Sequence, residues 1–226
     1  MNTEIDKTLG QPSPQTLEEQ LKLFQQHLAE LPDNASELDK NRIILDIAET
    51  ELALEHKDEA WKLAREALKI FLHLDAWQEA VEACNVLYQA EQPASISALA
   101  QGVWLAVSFP ILADTTVAML THIVDETPDD SDGAAVAAMT ACYITDLRTD
   151  DDKHESLSFL ARNLLGQVAQ RHSKVNSQEQ LEIWIDKLEL REPQVFLPRL
   201  SMIINIMAGE EWWFDREELR QKMPNA

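Results

Sequence analysis

This chain has little positive charge for its negative charge. Lysine and arginine number 19 against 40 aspartates and glutamates, a formal net charge of −21. Each phosphate contact needs a locally positive surface, so nucleic acid and anionic membranes are not expected as partners. Glycine is scarcer still, with five in 226 residues. There is no GxxxxGK[ST] loop, and few glycines remain to build another nucleotide cradle. Cysteine is limited to Cys84 and Cys142, with no CxxC pair, which removes a disulfide framework or a zinc knuckle as an organising device. Alternating runs of valine, threonine and tyrosine, the mark of half-buried strands, are missing. The amino terminus has no basic start followed by an apolar stretch, so a cytoplasmic protein is expected.

The longest stretch without charge is 92–113, QPASISALAQGVWLAVSFPILA. Pro93, Gln101, Gly102 and Pro110 interrupt it, so it predicts a largely buried helix ending near Pro110 rather than a membrane span. A homodimer with this segment at the subunit interface is a further possibility.

What is present is helical periodicity. Leu17, Leu21, Phe24, Leu28 and Leu31 form one amphipathic stripe, preceded by a flexible tail over 1–15 and stopped by Pro32. Ile43, Ile44, Ile47, Ala48 and Leu54 form a second, and Ala60, Leu63, Ala64, Ala67, Leu68 and Phe71 a third. Trp77, Ala80, Val81, Cys84, Leu87 and Tyr88 form a fourth. Further stripes follow over 116–124, 134–147, 157–168, 181–188 and 197–207. Exposed connections are expected at 149–155 and 188–198, the latter restricted by Pro193 and Pro198. The reading is all-α, with nine or ten helices: a helical region over 16–92 and a C-terminal helical bundle over 93–226 packed against it.

The stretch ILDIAETELALEHKDEAWKLAREALKIF resembles a tetratricopeptide repeat: Ala48 lies in its first helix, and Ala60, Ala67 and Leu68 lie in its second. The family's usual aromatic falls on Glu51 and its terminal proline on Leu72. Over 42–90 this resemblance implies an antiparallel helical hairpin stack that binds peptide segments or other proteins.

Two places invite a chemical reading. Asp129, Asp130, Ser131, Asp132 and Gly133 are similar to part of a calcium loop, but aligning Gly133 puts Pro128 and Met139 where the first and last oxygen ligands belong. The residues suit a helix start instead, where oxygen acceptors and negative charge meet free N–H groups. His122, Asp125 and Glu126 occupy neighbouring helical positions beside this loop and are the candidate metal ligands. The sequence has no HExxH, no Glu-x-x-His pair and no GxSxG elbow. Near the end, Trp212, Trp213 and Phe214 precede a short helix capped by Asp215. They either close the core or anchor a partner.

The leading expectation is a non-catalytic protein-interaction module, an adaptor or assembly factor without a cofactor. Its partner is expected to be another protein with a basic surface, met by Trp212, Trp213 and Phe214. The alternative is a metal-dependent or small-ligand helical enzyme using His122, Asp125, Glu126 and Asp129–Asp132.

Overall fold

The computed structural model describes residues 13–149 and 151–223, without the side chains of 151–153. Among these residues there are eleven helices and no strand: α1 (Pro14–Ala29), α2 (Glu37–Ala53), α3 (Lys57–His73), α4 (Trp77–Gln89), α5 (Ser95–Ser108), α6 (Ala113–Asp125), α7 (Asp132–Arg148), α8 (Asp151–Ser173), α9 (Gln178–Lys187), α10 (Pro193–Ala208) and α11 (Arg216–Arg220). The fold is all-α. Consecutive helices from α1 to α9 pack on each other, and α10 returns to lie against α5 and α7. Short connections between packed neighbours require the chain to reverse at each step, which stacks the helices.

The reversals use few glycines. Leu54–Glu55, Leu74–Asp75 and Leu188–Glu189 each end a helix with the acidic residue at positive φ, 64°, 56° and 54°. The next N–H then reaches back to the last turn: His56 to the Glu51 carbonyl at 2.9 Å, Ala76 to Phe71 at 2.9 Å, and Leu190 to Ile185 at 3.1 Å. These bonds satisfy carbonyls that a helix end leaves without partners.

Alanines let the helices approach. Ala48, Ala60, Ala64, Ala67 and Ala80 are fully buried in α2–α4, as are Ala134, Ala135, Ala137, Ala138 and Ala141 in α7. The hydrophobic core runs without a break from Leu45 to Leu219. Glu51, at the position where the repeat family carries an aromatic, is buried and bonds His56 Nδ1 at 2.6 Å.

Several expectations need correction. Of the expected tail, 1–12 lies outside the described residues, while Ser13 caps α1 and Pro14 begins it. The expected connection at 149–155 shrinks because α8 starts at Asp151. Pro193 opens α10 and Pro198 lies inside it on an exposed face, where the lost intrahelical bond is least costly. Most of the uncharged 92–113 segment becomes α5, whose residues 98–106 are all buried within one chain. The middle of the segment is core, while Ile96 and Leu112 near its ends stay 38% and 58% exposed.

Helix ends are also closed from a distance by arginines. Arg148 Nη1 donates to the carbonyls of Ala106 (2.8 Å) and Ile111 (3.3 Å), and its Nη2 to Val107 (3.1 Å), holding the end of α5. Arg171 donates to Val124 in the last turn of α6 and to Thr127 beyond it, and Arg199 to Leu188 beyond α9. A cation at these positions also meets the negative end of the helix dipole.

Candidate functional site

The acidic turn is a helix start. Ser131 is the N-cap of α7 and accepts the Gly133 N–H. Asp132, in the first turn, lies 3.2 Å from both His172 and Arg199, and Asp129 lies 3.6 Å from Arg171. Its carboxylates therefore tie α7 to later helices.

His122, Asp125 and Glu126 do not converge. The His122 ring bonds Asn85 at 3.1 Å and lies against Tyr88, whose hydroxyl donates to Glu126 at 2.7 Å. Burial lowers the His122 pKa, against the opposing charges of Asp125 and Glu126. Among the described residues, no three histidine, cysteine or acidic side chains are placed to hold a metal ion.

Sequence spacing gave no sign of a cluster around His172. The Trp184 indole N–H can only donate, and it meets His172 Nδ1 at 3.1 Å. The imidazole proton therefore sits on Nε2 and is given to Asp132 at 3.2 Å. Ser173 Oγ also lies 2.6 Å from Nδ1, producing a hydroxyl–imidazole–carboxylate order. The N–H groups of Lys174, Val175 and Asn176, which follow Ser173, are engaged by Gln170, Ala169 and Gln180. The cluster joins α7, α8 and α9.

The C-terminal aromatics form a strap over α3 and α5. Trp212 and Phe214 meet Trp104 at 6.2 and 5.5 Å, whereas Trp213 meets Trp61 at 6.1 Å and lies 3.9 Å from the Arg65 guanidinium. All three are half-buried against the core. Gln101, fully buried in α5, accepts the Trp213 N–H at 2.7 Å and donates to the Glu211 carbonyl at 3.4 Å. The only sequence signal for that role was an amide isolated in the longest uncharged run.

A groove of about 750 Å³ lies between α8 and α9, with Cys142 of α7 in its wall. Burial, with Asp146 adding to it, pushes the Cys142 thiol up to about 11 and keeps it protonated at neutral pH. Phe159 lines the groove and is 65% exposed, with neighbouring Leu160 at 58%. His154, also in the lining, lies 3.0 Å from Asp146.

These features define an all-α stacked-helix protein. No family model, curated protein or solved structure matches the chain. Among the described residues, no helix is long and apolar enough to cross a membrane.

Proposed function

We propose that this chain is a non-catalytic adaptor or assembly factor acting in the cytoplasm, with a tetratricopeptide-like N-terminal stack and a basic protein as partner. The observation that carries the proposal is the exposed pair Phe159 and Leu160 beside the α8–α9 groove, on a chain of charge −21. Large side chains of this kind supply contact energy at interfaces, and the surrounding charge speeds encounter with a positive surface. The groove lining carries Glu155 and Glu182 beside Arg162, and Glu182 is paired with Arg191 at 2.7 Å, so the negative charge that favours a basic partner is that of the chain as a whole.

The test is to replace Phe159 and Leu160 together by serine. Neither is buried, so the melting temperature should stay within about 1–2 °C of wild type while the co-purifying protein is lost. A variant that retains its partner at wild-type yield would place the interface elsewhere.

A further inference from the structure

The strap does not resemble ordinary core. Its backbone is read by a side chain: the Gln101 amide accepts from Trp213 N–H and donates to the Glu211 carbonyl, bonding one short segment through both of its polar groups. Gln101 also donates to Ser97 Oγ at 2.9 Å, and Ser97 donates to the Ala208 carbonyl at 3.1 Å, so the same face of α5 holds the end of α10. Trp61 and Arg65 of α3 receive Trp213, and Trp104 of α5 receives Trp212 and Phe214. At the far end, Lys222 pairs with Asp75 at 2.7 Å in the turn between α3 and α4 and lies over Trp77.

The strap leaves α10 through Gly209, at φ 65° and ψ −147°, a conformation suited to glycine, with nothing within 4 Å of the position a Cβ would take. It therefore hangs from an uncrowded joint. It is held by aromatic faces, the Gln101 amide, Leu219 of α11 buried in the core, the Arg216–Asn205 hydrogen bond at 2.6 Å and the exposed Lys222–Asp75 ion pair, contacts of the kind by which grooves recognise peptides.

Taking the chain as an adaptor, we infer that the α3–α5 face is a peptide-recognition surface filled in cis by residues 209–223, and that a partner displaces this strap. The strap itself shows the chemistry of the ligand: acidic residues, then two or three consecutive aromatics, then a short helix with one apolar residue set into the core and a cation beyond its end. Trp213 occupies the Trp61–Arg65 site, and Lys222 occupies Asp75. A partner segment of the same chemistry takes the same places, and release of the strap exposes Trp212 and Trp213 for a second contact.

Amide hydrogen exchange on the unmodified full chain tests this without a partner. The Trp213 amide and those of α11 should exchange at least about 100-fold faster than the amides of Val103–Ala106 in α5, through an opening that leaves α5 folded. A labelled peptide with the sequence of residues 209–223 should bind the full-length Trp213→Ala chain. It should bind wild type about 100-fold more weakly, because the tethered strap competes at high effective concentration. A strap that exchanges only together with α5 overturns the inference, as does a folded Trp213→Ala chain that ignores the peptide. Should that variant not fold, exchange on the wild-type chain decides alone. Failure here leaves the Phe159–Leu160 interface untouched, and loss of that interface leaves the exchange result standing, so the two readings fall separately.

Discussion

Replacing Gly102 by valine should destabilise the fold by about 3 kcal/mol or more, seen as a lower urea midpoint. A Cβ built at Gly102 would sit 2.5 Å from Met119 Cε and 2.6 Å from Cys84 Cβ. The methionine end can swing away. The Cys84 Cβ cannot, because it is fixed to the backbone of α4, so α4 and α5 must part. Valine's better helix propensity recovers only a few tenths of a kcal/mol. Cys84→Ala keeps the offending Cβ and should not rescue Gly102→Val, whereas Cys84→Gly should recover part of the loss. An unchanged midpoint in Gly102→Val would mean that the two helices are not in contact there.

Removing the guanidinium of Arg148 should have the next largest effect. Arg148→Met keeps a long apolar stem but strips the bonds to the Ala106, Val107 and Ile111 carbonyls and to Thr116 Oγ1 at 3.3 Å. Carbonyls at the end of α5 then lose a charged donor. The expected loss is about 3 kcal/mol, read from thermal unfolding. Burial lowers the Arg148 pKa, yet arginine stays charged at any ordinary pH, so the contribution should not vary between pH 6 and 9. Arg148→Lys should recover only a fraction, since one ammonium cannot span the fork. Wild-type stability in Arg148→Met would show that water closes this helix end equally well.

Both effects turn on contacts between residues far apart in sequence, which separates the legible part of the chain from the rest. Periodicity located the long helices other than α5, because an apolar stripe marks the face that must be buried; α5 was legible instead as an uncharged run between prolines. The alanines of α7 leave room on nearly every side, and α7 packs on α6, α8 and α10. Helix ends were less legible. The starts of α2 and α8 have charged first turns that carry no stripe, and acidic residues at positive φ gave no glycine to mark the reversals. Pro198 was read as a breaker because proline's effect depends on which side of a helix it faces.

The site was less legible than the fold. The acidic turn was readable as a helix cap because capping is local, and Trp212–Phe214 stood out by composition. Neither the cluster around His172 nor the grip of Gln101 on the strap has a local signature: Gln101 and Trp213 lie 112 positions apart. The exposure of Phe159 was hidden for a related reason. Phe159 and Leu160 sit beside apolar neighbours in sequence, and only packing shows that Leu165 and Val168 turn inward while they do not.

The most direct measurement of the central proposal is the mass of the tagged full-length chain recovered under mild low-salt conditions, by light scattering after size exclusion. The account predicts a stoichiometric complex larger than the 25.7 kDa chain, with a second, basic protein in it. Raising the salt to about 1 M shortens the screening length to about 3 Å and should weaken that complex. A lone monomer at low salt, or a complex of this chain only with itself, would contradict it.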